Sequence, residues 1–509
     1  MKSPKYLFLV DQPLQANMAA QIANKIYNIK PESDLNLAFT DYYTFFLRRD
    51  YLAGFTEAWN GKVFTQEEIY LGWQKDGLEK EVDSKFLIDW EKVYGKKRSL
   101  EQLQRTNQLI FGNERDYYQR QMTEEWKRKI LYDTVLWSSA LLSEIKPDKI
   151  ISIERSTLAN NLIFEMAREN KVQFLTIMPT RLGKRWIIVN DFGYGMDESN
   201  LRFILSNYSD EINKAKASNE INRLLQNNQA AYTSIASQIS KQSKAEKTKS
   251  VRTFIKELRL LAGRVYGRLF IQRQERLTQA KRLNENFFKL SIYEFKFLIF
   301  NSLRSFGLKF WLKSNTPKSK YFYWALHYRP EGSVSVLGDG RDEIEELLKV
   351  AREIPSDYCL VVKEHPAMFG TRKFGFYRRL RHHSKIMLVD PFSSTIELIS
   401  GASGVIGISG TVLLEAAMMD KPSYAIGKPE FIDFIVGNNL TGLANFIDVV
   451  TQDKFLSPRE KILPYVAYML DKGIDHDSSA FADSDLPHAP EFSEKMAKEI
   501  INYSGNDCN

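Results

Sequence analysis

The chain contains few of the residues that build disulfide and metal frameworks. Its 509 residues include two cysteines, Cys359 and Cys508, and six histidines. The cysteines lie far apart and form no C-x-x-C pair, so neither a disulfide scaffold nor a structural zinc site is predicted. The histidines show no metal-ligand spacing either. We therefore expect a cytoplasmic protein that uses no bound metal and no cofactor.

Long apolar runs are also missing. No stretch reaches the roughly 18 apolar residues that read as a membrane-spanning helix. The opening MKSPKYLFLVDQP has an apolar run too short for a signal peptide, and no small-residue cleavage site follows it. A Walker phosphate loop and a strand-linked G-x-G-x-x-G are absent as well, so phosphate binding of those two kinds is not predicted.

Positive charge is concentrated in one segment. The net charge is +8, yet residues 241–320 hold 20 Lys and Arg against five Glu and no Asp. Residues 251–277 carry apolar side chains on one helical stripe and basic ones elsewhere. Such a basic amphipathic helix can lie on the inner face of an anionic membrane, which the segment 251–313 would contact, or pack on the protein with its basic side in water. Both interpretations stay open, and without a DNA- or RNA-binding motif no nucleic-acid partner is expected.

The rest of the sequence alternates between strand and helix patterns. KIISIER, TLANNLIFEMAREN and VQFLTIM form one strand–helix–strand unit, and five more apolar strands alternate with helices after residue 320. This alternation predicts an α/β protein with parallel sheets. The predicted domains are a Rossmann-like domain over 1–205, a helical basic insertion over 206–320, a second Rossmann-like domain over 321–472, and a tail with a final helix over 473–509.

Polar side chains follow the predicted strands of the second domain. Ligands of open α/β sheets bind outside the carboxyl ends of the strands, and a helix N-terminus attracts anions. Simple helix capping is the alternative explanation for Ser or Thr at such a turn. The candidate nucleotide-binding residues are His365, Lys363, Ser409, Gly410, Thr411 and Glu415.

The order of these motifs resembles the bacterial capsule polysaccharide biosynthesis family. The similar segments are PTRLGKRW at 179–186, LHYRPEGS at 326–333, KEHP at 363–366, DP at 390–391 and SGTVLLEAAMMDKPSYAIG at 409–427. The resemblance covers 321–430 well and 148–190 more weakly. It implies a GT-B-like fold, in which two Rossmann-like domains face each other across a cleft, here with the basic insertion between them.

The resemblance also implies roles for particular residues. His365 would contact the phosphate of a nucleotide-activated sugar donor, Ser409 and Thr411 the phosphate or nucleotide, and Glu415 the ribose. His327 and Glu331 of LHYRPEGS would face the cleft. Members of the family transfer Kdo from CMP-Kdo, which makes a CMP-linked donor the expectation for this chain.

Glycosyl transfer needs a carboxylate near the anomeric carbon, as a base or as a nucleophile. Asp11 and Glu154 follow strands of the first domain and are candidates, together with Glu331 and His327. Arg155 and Arg181 are candidates for holding an anionic sugar or acceptor. For each of these residues the alternative is an ordinary salt bridge in a loop.

The predicted function is a metal-independent glycosyltransferase that extends a capsule or other surface polysaccharide, with a polysaccharide or lipid-linked glycan as acceptor. A CDP-polyol phosphotransferase of the teichoic-acid type is the nearest alternative, and a sugar-nucleotide epimerase on the same fold is another. A non-catalytic polysaccharide assembly subunit is the alternative from a different class.

Overall fold

The computed structural model describes most of both α/β regions. Its described residues are 3–11, 13–40, 59, 61–66, 82–106, 123–183, 185–190, 196, 198–226, 319–328, 336–436, 442–475 and 490–503, with isolated positions between 259 and 312. They form two β-sheets with helices packed on them.

The first sheet is mainly parallel. In the described residues its strands are β1 Lys5–Val10, β2 Asp34–Phe39, β3 Val63–Phe64, β4 Lys149–Ile153, β5 Gln173–Pro179, β6 Arg185–Val189 and β12 Ile474–Asp475. Their order across the sheet is β12-β6-β5-β4-β1-β2-β3, and only the β5–β6 and β6–β12 pairs run antiparallel. The long central strands are apolar on both faces, as a sheet covered by helices requires.

The second sheet is parallel throughout. Its strands are β7 Tyr321–Ala325, β8 Cys359–Lys363, β9 Ile386–Val389, β10 Gly404–Gly407 and β11 Ser423–Ala425. Their order is β11-β10-β7-β8-β9, so β7 lies in the middle with β10 and β8 as its neighbours. This order decides which strand ends lie next to one another.

Fourteen α-helices lie within the described residues. They are α1 Pro13–Ile29, α2 Ser84–Tyr94, α3 Leu100–Arg105, α4 Glu124–Ile145, α5 Leu158–Glu169, α6 Glu198–Tyr208, α7 Glu211–Gln226, α8 Glu343–Glu353, α9 Phe374–Arg381, α10 Thr395–Gly401, α11 Thr411–Met418, α12 Leu443–Thr451, α13 Pro458–Lys472 and α14 Pro490–Asn502.

Several helices begin where the sequence places a capping side chain. Thr123 accepts a hydrogen bond from the Trp126 amide at the start of α4. Ser99 and Gln102 form a reciprocal capping box at α3. These local bonds satisfy amides that have no partner inside the helix, and so they fix where each helix starts.

The last part of the chain returns to the first sheet. Helix α13 packs against α6 and α7 on one side and against α11 on the other, β12 adds to β6, and α14 packs on α1. Buried apolar side chains of α14, including Phe492, Met496 and Ile500, belong to the same core cluster as α1 and β1. The strand β12 and the helix α14 are thus part of the first α/β layer.

The predicted fold class is confirmed: the protein is α/β and GT-B-like, with two Rossmann-like sheets. The predicted basic amphipathic helix over 251–277 and the membrane-contacting segment 251–313 lie almost entirely outside the described residues. Residues 211–226, which the predicted boundaries place in the insertion, form α7 and pack on α13. The division at 205, 320 and 472 stays a prediction.

Candidate functional site

The carboxyl edge of the second sheet gathers the predicted strand-end residues. His327 follows β7, His365 follows β8, and Gly410 follows β10. Because β7 lies between β8 and β10, His327 stands between the other two strand ends. The ring of Tyr328 lies 5.5 Å from that of His365 between centroids. The structure therefore brings these residues to one edge, as the sequence pattern predicted.

The turn at Gly410 begins α11. Gly410 is the N-cap residue, and among the described residues no side chain makes a capping hydrogen bond there. A Cβ atom on Gly410 would lie 3.2 Å from Nε2 of His327. His327 is only 6% exposed, and among the residues that the structure describes its Nε2 atom has no hydrogen-bond partner. A buried polar nitrogen thus points at the positive end of a helix, where an anion is favoured.

A buried network of charged and polar side chains lies behind this edge. We call the set of His327, Glu343, Glu364, Arg372 and Tyr377 the buried network. Oε1 of Glu343 accepts hydrogen bonds from the His327 amide at 2.8 Å and from Nδ1 at 2.7 Å. Arg372 pairs through Nη1 with Oε2 of Glu343 at 3.1 Å and donates from Nε to Oε2 of Glu364 at 2.9 Å.

Glu364 of KEHP lies just after β8, and its side chain is buried. Its Oε2 accepts from Tyr377 Oη at 2.6 Å, and its Oε1 accepts from the His365 amide at 2.8 Å. Burial raises the pKa of Glu364, and the Arg372 guanidinium opposes that rise. The sequence analysis assigned no role to Glu343, Glu364, Arg372 or Tyr377, because a single sequence does not show which distant side chains meet.

Lys363 donates hydrogen bonds to residues that follow β9 in this structure. Its Nζ donates to the Ser393 carbonyl and to Oγ1 of Thr395, both at 2.7 Å. Burial lowers its pKa to about 8, against the attraction of Glu415 and Asp390. Glu415 is buried on the second turn of α11. Nucleotide contacts by Lys363 and Glu415 stay predictions.

His365 is held in its neutral form. Burial lowers its pKa to about 4, and the positive charges of Lys363, Arg372 and His327 act in the same direction. At neutral pH the imidazole therefore carries one proton and can still donate one hydrogen bond. The negative charge of a bound phosphate would favour its protonated form.

The carboxyl edge of the first sheet holds the other predicted residues. The Ser156 hydroxyl donates to Oδ2 of the buried Asp11, which joins the ends of the adjacent strands β1 and β4. Glu154 is half-buried, with a left-handed backbone φ of 54°. The guanidinium of Arg155 stacks 3.8 Å from the ring centroid of Phe164. Ser156 is a residue that the sequence analysis missed.

Arg181 links the two sheets. It follows β5 with a left-handed φ of 62°, and its Nε lies 2.6 Å from Oε1 of Glu430, a residue that follows β11. Its Nη1 donates to the Ser409 carbonyl at 3.1 Å. The carboxyl edges of the two sheets therefore meet here. Arg181, predicted to hold an anionic sugar or acceptor, binds protein groups in this structure.

A second contact of the same kind lies nearby. Buried Arg98, just before α3, pairs with Asp339 at 2.8 Å and donates to the Val336 carbonyl at 2.8 Å. Together with Arg181 it holds the first α/β layer against the second. Glu331, predicted to face the cleft, lies outside the described residues.

Within the part of the chain that the structure describes, no helix is both long and apolar enough to cross a bilayer. The same residues contain no group of three or more His, Cys, Asp or Glu side chains placed to hold a metal ion.

The two sheets, with meeting carboxyl edges and a final helix that returns to the first, define a GT-B-like fold. No family model and no curated protein matches the sequence. Solved structures similar to the chain include two transferases of Thermosulfurimonas dismutans KpsC, both 11% identical. The beta Kdo 2,7 transferase has a TM-score of 0.35 over 72% of this chain and 89% of that one. The beta Kdo 2,4 transferase has 0.37 over 70% and 88%.

A UDP-GlcNAc 2-epimerase of Neisseria meningitidis, bound to UDP-GlcNAc, is also similar. It is 12% identical with a TM-score of 0.21, over 98% of each chain. Similarity at these levels does not choose between a transferase and an epimerase. The reaction type has to be inferred from the side chains at the site of this chain.

Proposed function

We propose that the protein is a glycosyltransferase that takes a sugar from a CMP-linked donor and adds it to a surface polysaccharide. The observation that carries this proposal is the N-terminus of α11 with Nε2 of His327 directed at it. That arrangement suits the phosphate of a nucleotide. His365, at the next strand end, would donate a hydrogen bond to the same phosphate.

The opposing edge supplies carboxylates for the transfer step. Asp11 is buried and accepts a hydrogen bond from Ser156, whereas Glu154 is half-buried. We therefore assign Glu154 the role of base or nucleophile at the anomeric carbon, and Asp11 that of a fixed negative charge beside it. The left-handed backbone at Glu154 supports this assignment, because strain of this kind gathers at functional sites.

The nature of the nucleotide is the first thing to test. We expect CMP to raise the melting temperature of the wild-type protein, since a ligand at about 100 times its dissociation constant adds roughly 2.7 kcal/mol of stability. CDP, UDP and GDP should shift it less. His365→Ala should lose most of the CMP shift, and His382→Ala, at the exposed C-cap of α9, is the matched control.

Each other outcome points to a different alternative. A preference for CDP would favour the polyol-phosphate transferase, and a preference for UDP the epimerase. Absence of any shift in the wild-type protein would overturn the proposal in favour of the non-catalytic assembly subunit.

The carboxylate assignment is tested by turnover. With CMP-Kdo as donor and a lipid-linked glycan as acceptor, we expect Glu154→Gln to slow CMP release by roughly 100- to 10,000-fold. The CMP-induced shift in melting temperature should persist, because the change spares the phosphate site. Glu144→Gln, exposed at the end of α4, is the control. Wild-type turnover by Glu154→Gln would disprove the assignment and turn attention to Asp11→Asn.

A further inference from the structure

The buried network contains a carboxylate, that of Glu343, whose burial is not explained by its position in a helix. Glu343 is fully buried in the first turn of α8, where an acidic side chain could equally well face water. Taking a carboxylate out of water is costly unless its partners compensate. Its partners are Arg372 and His327, and the second of these carries the nitrogen that faces the α11 N-terminus.

The contacts of Glu343 determine how the His327 ring is held. One oxygen, Oε1, accepts from both the backbone amide and the ring Nδ1 of His327. Two bonds from one atom fix the ring orientation relative to the backbone. They also determine the tautomer of the ring. A carboxylate can only accept a hydrogen bond, so Nδ1 must carry a hydrogen. Nε2 is then the free nitrogen, and it is the one that lies towards Gly410.

Arg372 in turn holds Glu343 in place. Its Nη2 donates to the His327 carbonyl at 2.5 Å while its Nη1 pairs with Oε2 of Glu343. The guanidinium is planar and rigid, so these contacts set the angle between the carboxylate and the backbone of His327. The ring is thus oriented from two sides by side chains that do not themselves reach the cleft edge.

We propose that Glu343 is a positioning residue, which holds the His327 imidazole so that Nε2 meets an anionic phosphate at the N-terminus of α11. An imidazole whose Nδ1 donates to a carboxylate can donate from Nε2 as well only when both nitrogens carry hydrogen, so the proposed phosphate contact is made by the doubly protonated ring. This inference deepens the proposed function and rests on it, since the phosphate is that of the nucleotide donor. It assigns Glu343 a role in ligand affinity as well as in stability.

A double-mutant cycle tests the inference. The dissociation constant of CMP, and of inorganic pyrophosphate as a sugar-free probe, is measured by calorimetry for wild type, Glu343→Gln, His327→Asn and the double variant. We expect each single change to weaken binding by roughly 10- to 100-fold. The double variant should bind no more weakly than His327→Asn alone, because Glu343 acts only through that ring. Additive losses would overturn the inference.

A matched control and a second variant guard against simple misfolding. Glu345→Gln changes an exposed glutamate on the same turn of α8 and should leave binding unchanged. Glu343→Asp keeps a charge for Arg372 while withdrawing the carboxylate from Nδ1. It takes the place of Glu343→Gln in the cycle if that variant fails to fold.

A spectroscopic readout tests the ring without any nucleotide. In protein labelled with ¹⁵N-histidine, six imidazoles contribute signals, and His327→Asn identifies its own by subtraction. We expect Nδ1 of His327 to be protonated in the wild type and to lose its hydrogen-bonded shift in Glu343→Gln. An unprotonated Nδ1 in the wild type would refute the inference. If the wild type binds neither CMP nor pyrophosphate, the proposed function itself fails, a result separate from an additive cycle.

Discussion

Replacing Arg372 by methionine is expected to lower the free energy of unfolding by about 3–5 kcal/mol, because two buried carboxylates lose their shared cation. Arg372 contacts both Glu343 and Glu364 and is itself 6% exposed. Methionine fills much of the same space as arginine. The loss of stability therefore comes from the missing charge and hydrogen bonds more than from a cavity. Urea denaturation of both proteins at pH 7.5 measures it.

The same variant should show a distinct dependence on pH. Burial raises the pKa of Glu364, and the Arg372 guanidinium counteracts part of that rise. In Arg372→Met the pKa of Glu364 should therefore rise further. A carboxyl group whose folded pKa is raised adds stability at low pH and loses it as pH rises from the unfolded towards the folded pKa. The deficit of Arg372→Met should therefore shrink between pH 7.5 and 5.5.

Arg379→Met provides the control, since Arg379 is exposed on α9 seven positions from Arg372. We expect it to change the free energy of unfolding by no more than about 0.5 kcal/mol. A deficit of that small size for Arg372→Met would mean that the buried network contributes little to stability.

Gly410→Ala is expected to weaken nucleotide binding by roughly 10- to 100-fold while leaving the fold intact. The new Cβ would lie 3.2 Å from Nε2 of His327 and 3.6 Å from Cγ1 of Val412, in the space that a phosphate oxygen needs. The backbone at Gly410 has φ −68° and ψ 154°, which alanine adopts without strain. Calorimetric titration with CMP measures the loss.

Gly375→Ala is the matched control for that experiment. A Cβ on Gly375 would meet nothing within 4 Å, and the residue is exposed within α9. The change should leave CMP affinity unchanged and add up to about 1 kcal/mol of stability, since alanine favours a helix more than glycine. CMP affinity of wild-type strength in Gly410→Ala would show that the phosphate does not bind at the start of α11.

Local patterns in the sequence predict much of this architecture. Apolar runs that stop at polar residues locate β7, β8 and β10, and they place His327, His365 and Gly410 at the carboxyl ends of these strands. Helix starts such as Thr123 follow from capping chemistry that operates within four residues. These features depend on neighbours in the chain, which is why one sequence is enough to find them.

The partners of buried charged side chains, in contrast, do not follow from local sequence patterns. The sequence left Arg181 open between holding an anionic ligand and forming a salt bridge, and in the structure it pairs with Glu430 and the Ser409 carbonyl. Glu343 looked like an ordinary acidic residue in a first helical turn, yet it is fully buried against His327 and Arg372. Such pairs form between elements far apart in sequence, and periodicity carries no information about them.

The chain passes from the first sheet to the second between residues 226 and 321, and it comes back through α13 to form β12. The two sheets are therefore joined by two chain crossings as well as by the contacts of Arg181 with Glu430 and with the Ser409 carbonyl. Two chain crossings limit the relative movement of the sheets to fewer directions than a single crossing would allow.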